Sequence, residues 1–194
     1  RRVVYVTDRS SAAPILHPWI VTGSVYDSTS WHEAQPLRMQ KKIQPYEWGT
    51  KLGFGIAGNG SRYLTSGWST TSGTVHWNDG KSAEMRFKIK RPDREVHLSM
   101  VFFPHVTPGV WDRQRVRMKI NGVGVREVTC AVKESQKSDL TIPPIVFQDN
   151  MMVISFEFPD AVSQATLGTG RDTRVQAIGM YMFEATLVEP GGGK

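Results

Sequence analysis

The chain has a single cysteine, Cys130, in 194 residues. A disulfide within the chain and a cysteine-based metal site are both excluded. Lying in "EVTCAV", Cys130 reads as a small buried strand residue rather than a nucleophile. Long apolar runs are missing too. Nothing approaches the roughly 18 consecutive apolar residues that a membrane-spanning helix needs, and no signal-peptide pattern is visible. No block of Lys and Arg exceeds three residues, so there is no basic tail.

Catalytic signatures are equally scarce. There is no Gly-x-Ser-x-Gly elbow, no His-Glu-x-x-His helix and no glycine-rich phosphate loop followed by lysine. The glycines of "GFGIAGNG" match a dinucleotide loop only superficially, because no helical pattern follows, and strand and turn glycines account for them. The histidines, His17, His32, His76, His97 and His105, show no i, i+2 or i+4 pairing that would support zinc. His97 falls on the outward face of a strand pattern. A Ser-His-Asp triad could assemble from distant positions, but nothing marks a nucleophile. The segment is therefore read as no enzyme by itself, with no catalytic residue assigned.

What is present is the composition of one folded domain. Hydrophobic residues make up 39% and charged residues 22%, and the net charge is +6. The basic balance allows anionic partners without choosing among them. A period of two dominates from residue 81 onward. Met85, Phe87 and Ile89 share one face, as do Val96, Leu98, Met100 and Phe102. Val116, Met118 and Ile120 oppose Arg113, Arg115, Arg117 and Lys119. Met152, Ile154, Phe156 and Phe158 form a further set, and "QAIGMYMFEATLV" is apolar on both faces, as a central strand is. Turn signals separate these runs, and Asn121-Gly122 between alternating segments predicts a tight hairpin. Without amphipathic helical windows, the pattern gives an all-β fold, an antiparallel two-sheet jelly-roll-type β-sandwich with an irregular N-terminal segment. Residues 1–50 are expected to wrap or link, 51–189 to form the sandwich, and 190–194 to be a disordered tail. The start "RRVVYV", without Met, and the end "EPGGGK" read as an excised piece of a longer protein.

"GWSTTSGTVHWNDG" (67–80) holds two of the six tryptophans among turn residues. Its rings either pin a loop to the core or face outward as a stacking platform. Trp31, Trp48 and Trp111 lie among similar neighbours. Sugar rings present apolar CH faces to aromatics and hydroxyls to Asp, Asn, Arg and Gln. In "GTGRDTRVQAIG" (168–179), Asp172 and Arg174 fall on one face, either as a local loop-fixing pair or as a polar clamp for a hydroxylated or anionic ligand. The Arg113–Lys119 face, beside Arg86–Lys90, is either a solvated outer sheet or a groove for acidic polymer or nucleic acid. RNP-like strand aromatics are absent, so nucleic acid is not an expected partner.

The order "YLTSGWS", "HWNDGKSAEMRFKI", "QRVRMKINGVGV", "LTIPP" and "ISFEFPDAVSQATLGTGRDTRVQAIGMYMFEATL" resembles the β-sandwich domains at the C-terminal ends of bacterial envelope glycosyltransferases and related polysaccharide-assembly proteins. The matching residues include Gly67, Trp68, Trp77, Gly80, Gln114, Asn121, Gly122, Ile142, Pro143, Phe156, Pro159, Ala161, Ser163, Gly168, Asp172 and Arg174, over roughly residues 52–187. Two positions depart from the pattern: Ser72 stands where an acidic residue is usual, and Gln164 where proline is. The resemblance implies a carbohydrate-binding-module-like domain on the periplasmic or outer side of a membrane, taking a glycan or lipid-linked saccharide and serving the rest of its own longer chain. On this reading Trp68 and Trp77 stack, and Asp172 and Arg174 hydrogen-bond. No cofactor is expected, and a structural calcium is the one metal left open. The alternative is a structural, protein-docking sandwich, whose signature is an exposed apolar patch rather than a polar cleft.

Overall fold

The computed structural model describes residues 4–5, 18–19 and 42–189. Contacts divide the chain into residues 1–41 and 42–194. In the first unit β1 (Val4–Tyr5) pairs antiparallel with β2 (Pro18–Trp19). The wrapping role expected for residues 1–50 falls, over 6–17 and 20–41, outside the described residues. So do His17, Trp31, His32 and the tail 190–194.

The second unit contains β3 (Gln44–Pro45), β4 (Leu52–Gly53), β5 (Leu64–Ser66), β6 (Trp68–Ser72), β7 (Val75–Asn78), β8 (Ser82–Lys88), β9 (Val96–Pro104), β10 (Gln114–Ile120), β11 (Val123–Cys130), β12 (Gln136–Ile142), β13 (Met151–Glu157) and β14 (Ile178–Leu187). One sheet has the order β11-β10-β13-β8-β3, with β5 also on β8. The other has the order β12-β9-β14-β7-β6, with β4 also on β14. β3 runs parallel to β8, and the long neighbours pair antiparallel. The result is the all-β, antiparallel two-sheet jelly-roll-type sandwich that the alternating runs predict.

Alternation explains the packing. In every predicted set the apolar members, from Met85 and Phe87 through Leu98, Met118, Ile154 and Phe158, are buried in one core cluster. At its centre Phe87 is stacked between Tyr63, with ring centroids 4.8 Å apart, and Phe183, at 5.0 Å. Burying such a ring contributes roughly 1.5–3 kcal/mol. β14 lies between β9 and β7, the central position its sequence predicts, but only one face is fully buried: Phe183 and Ala185 face the core, while Tyr181 is exposed and Met182 and Glu184 are half-buried. The ladder slips between Met180 and Met182, leaving Tyr181 as the extra residue of a bulge. The predicted hairpin forms at Asn121 (φ 47°) and Gly122 (φ 81°). The Asn121 side chain also donates to the carbonyls of Val146 and Met151 and accepts from the Val153 amide. Cys130 is buried, and burial pushes its thiol up to about 11, which keeps it unreactive.

Three features depart from the sequence reading. Residues upstream of Lys51 already pack in the sandwich: Tyr46 is buried, and its hydroxyl accepts from the Ala185 amide at 2.8 Å and donates to the Thr50 carbonyl at 2.8 Å. The stretch 67–80 is strand, the hairpin of β6 and β7, whose polar residues suit the edge of a sheet. A short helix, α1 (Gln164–Leu167), is capped by the Ser163 hydroxyl and ended by Gly168 in the left-handed conformation. Four residues are too few to show a helical period.

One buried polar side chain ties the hairpin to the central strand. Asn78 is fully buried. Its Oδ1 accepts from the amides of Ala177 (2.7 Å) and Ile178 (2.8 Å), and its Nδ2 donates to the carbonyls of Gly80 (2.7 Å) and Val175 (3.3 Å). Replacing Asn78 by alanine takes the Oδ1 acceptor from the buried Ala177 and Ile178 amides. At ~1–3 kcal/mol for each unpaired buried group, the loss is expected to be about 3–5 kcal/mol. Asn78→Asp keeps the acceptor but turns a carboxylate oxygen toward the Gly80 and Val175 carbonyls at a fully buried position, so it should lose at least as much. Denaturant unfolding of the two variants beside the parent checks the order, and equal stability of Asn78→Ala and the parent would refute it.

Candidate functional site

The loop of residues 168–177, leading into β14, is fixed before any ligand arrives. The Asp172 carbonyl accepts from the Ala165 amide (3.0 Å), Gln176 and Val162 exchange amide-to-carbonyl bonds (both 3.1 Å), and the Val175 carbonyl accepts from the Gly80 amide (2.8 Å). Beside this loop lies a depression of ≈ 460 Å³. β7 contributes Trp77 to its lining. The chain beyond β9 contributes His105 and Thr107, the β11–β12 connection Lys133, and α1 with the following loop Gln164, Thr169, Asp172, Arg174 and Gln176.

Asp172 and Arg174 form a bidentate pair. Arg174 Nη2 donates to Asp172 Oδ2 at 2.5 Å, and Nε lies 3.0 and 3.1 Å from the two carboxylate oxygens. The Arg174 amide also donates to Oδ1 at 2.9 Å. The guanidinium hydrogen bonds, joined by that amide, hold the Asp172 carboxyl at about 2, well below its usual range. Arg174 Nη1 reaches the Ser69 hydroxyl at 3.3 Å, linking the loop to β6. The pair therefore fixes the loop and at the same time lines the depression.

The two tryptophans of the hairpin separate. Trp77 is half-buried and lines the depression, edge-on to His105 with ring centroids 6.2 Å apart. It stands opposite Gly179 on β14, where a Cβ would press on the indole at 3.1–3.2 Å. Glycine at 179 is thus what lets the ring lie across the strand. Trp68 packs against the core instead, edge-on to Phe156 at 6.0 Å, with its indole N–H donating to the Glu84 carbonyl at 2.9 Å. It is absent from the described lining. Its neighbour Gly67, at φ +72°, has no room for a Cβ, which would collide with the Ser82 carbonyl. Trp48 likewise packs on the core, and Trp111 donates to the Asp160 carbonyl at 3.0 Å. Of the four residues picked from sequence, Trp77, Asp172 and Arg174 come together and Trp68 does not. Sequence reading missed His105, Thr107, Lys133, Gln164, Thr169 and Gln176. Thr169 and Gln176 lie within the stretch 168–179 that the sequence singled out; the others come from separate segments with no shared local pattern.

The outer face of β10 is a ladder of ion pairs rather than a free basic groove. Arg115 forks onto Asp160 (2.7 Å), Arg117 meets Glu127 (2.7 Å), and Lys119 meets Glu157 (2.5 Å). Paired cations offer a polyanion little net field. On β9, His97 lies 3.8 Å from Asp139. Among the described residues no group of three or more His, Cys, Asp or Glu could hold a metal, so a carboxylate-built calcium site finds no ligand set there. In the depression His105 Nδ1 faces the Gln176 carbonyl at 3.4 Å, and among the described residues no hydroxyl or thiol is hydrogen-bonded to it. The arrangement can stack a ring and bind hydroxyls or an anion.

No protein family and no curated protein sequence matches the chain. Several solved structures are similar in fold. A family 35 carbohydrate-binding module from an environmental isolate has 10% identity, coverage of 71% of this chain and 92% of that one, and a TM-score of 0.41. The module CBM36, in complex with calcium and xylotriose, has 10% identity, 71% and 99% coverage, and a TM-score of 0.44. The CBM22-1 xylan-binding domain from Paenibacillus barcinonensis has 12% identity, 75% and 99% coverage, and a TM-score of 0.46.

The clamp has a defined pH range. Asp172 titrates at about 2 when folded, against 3.8 for the free side chain, so the stability it contributes is complete above that ordinary value and is lost as pH falls through about 2. Carbon-13 NMR of the side-chain carboxyl should show this low midpoint, and Arg174→Gln should return it toward 3.8. An unchanged midpoint in that variant would show that the arginine is not the cause.

Proposed function

We propose that this chain is a non-catalytic glycan-binding module. The reading rests on one observation: a half-buried indole, Trp77, shares a depression with the Asp172–Arg174 pair and with amide and hydroxyl side chains. Sugars need an apolar plane beside converging hydrogen-bonding groups on a rigid frame, and here the frame is pinned by backbone bonds before any ligand arrives. An open site of this kind is expected to bind in the millimolar to micromolar range, about 4–8 kcal/mol.

The residue order quoted above supports a wider context as part of the same proposal. The module would serve a larger membrane-associated glycosyltransferase of bacterial envelope polysaccharide assembly, on the periplasmic or extracytoplasmic side, with a glycan or lipid-linked saccharide as ligand. The membrane lies near but is not crossed by this segment. No described helix is long and apolar enough to span it.

A second observation favours the docking alternative. Away from the Trp77 depression, an apolar concavity of ≈ 480 Å³ is lined by Leu52, Phe54, Ile56, Ala57, Tyr181 and Met182, with glycines between them. Ile56 is 78% exposed and Tyr181 44% exposed. Such a surface suits an apolar segment of the remainder of the longer chain.

Trp fluorescence and calorimetry with a panel of envelope oligosaccharides separate the readings. Trp77→Ala is expected to weaken saccharide binding about tenfold or more, ~1.4 kcal/mol upward. Trp68→Ala should instead cost on the order of 3 kcal/mol of stability through lost packing. A panel without any binder sinks the glycan reading. For the docking reading, Ile56→Lys should leave saccharide affinity unchanged and release the module from the upstream part of its own chain in a pull-down.

A further inference from the structure

We infer that the Trp77 depression takes a carboxylate-bearing sugar, a uronic acid residue, with Lys133 as the group that reads the charge. The inference rests on the glycan-binding reading and adds the class of sugar. Its basis is the charge balance around one concavity.

Among the described lining residues the one carboxylate is Asp172, and both of its oxygens are taken by Arg174. The pair is internally neutral. Lys133 stands apart from it: an exposed lysine on the β11–β12 connection that lines the same depression, in no ion pair among the described residues. Glu134 follows it in the chain but is not in the lining. His105, the remaining titratable group facing the space, adds no negative charge in either protonation state. Asp79, outside the lining, acts on Arg174 rather than on Lys133, so among the lining residues the Lys133 charge is left without a paired acid beside the Trp77 ring. The β10 face is different, because Arg115, Arg117 and Lys119 each meet an acid.

One free ammonium balances one negative charge. A uronate supplies that charge on a pyranose whose CH face can still lie on Trp77. A phosphomonoester, carrying about −1.5 to −2 at neutral pH, would leave charge unmatched. The Arg174 guanidinium adds directional donors at the side, and its geometry is already set by Asp172.

The test compares an oligosaccharide ending in glucuronic acid with its carboxyl-reduced glucose counterpart, by calorimetry at low and physiological salt. The acidic sugar is expected to bind about tenfold more tightly at low salt, with the ratio shrinking as salt screens the charge. Lys133→Gln should bring the ratio toward one, and Lys133→Arg should keep it. Unchanged unfolding midpoints show that both variants fold. Equal affinity of the parent for the two sugars overturns the charge assignment and leaves the glycan reading standing. A ratio that survives in Lys133→Gln removes Lys133 from the role. Failure of both sugars, and of the wider panel, to bind overturns the glycan reading and this inference with it.

Discussion

The Asn78 carboxamide is the interaction on which the site depends. It binds four backbone groups; the Gly80 carbonyl is two residues away, while the Val175 carbonyl and the Ala177 and Ile178 amides lie nearly a hundred residues away in the chain. Water cannot reach the residue to replace those bonds, so the β6–β7 hairpin and the start of β14 are held in one register. Trp77 precedes Asn78, and Arg174 and Gln176 flank Val175, one of its partners. Fixing this one amide therefore brings the Trp77 indole and the polar loop to the same place.

Charge is distributed on the same frame in two ways. On the broad face of β10 cation and anion alternate across strands, which contributes little to stability at exposed positions but cancels the field. Around the Trp77 depression the cancellation is partial: Asp172 neutralises Arg174 and Lys133 is left over. Net charge alone could not reveal this, since +6 is compatible with either arrangement. The apolar concavity at Ile56 and Tyr181 is a separate feature, made where a bulge in β14 turns one side chain outward and accepts the Phe54 amide on the Tyr181 carbonyl. A ligand site and a docking face can thus sit on one sandwich without sharing residues.

Much of the fold was legible because strands report themselves locally. Alternation across "AEMRFKIK" or "RQRVRMKI" is a property of successive residues, and burial of Met85, Phe87, Val116 and Met118 follows from it. Asn121-Gly122 carries its turn in its own backbone preferences. The misses have physical causes as well. β6 is a polar edge strand without an apolar face, α1 is too short to have a period, and Tyr46 joins the core through a bond to Ala185 that no local pattern announces.

Sequence by itself determined the class of architecture, the identity of the core faces, the tight hairpin and the inert cysteine, since each follows from neighbours along the chain. It also marked Trp68, Trp77, Asp172 and Arg174 as chemically able to bind a sugar. Only tertiary structure decided which tryptophan lines the depression. Trp68 finds Phe156 and the Glu84 carbonyl and becomes packing; Trp77 finds the empty space above Gly179 and stays half open. Two identical side chains in one hairpin receive different environments because their partners come from distant strands. Contacts between residues far apart in the chain are what folding adds to a sequence.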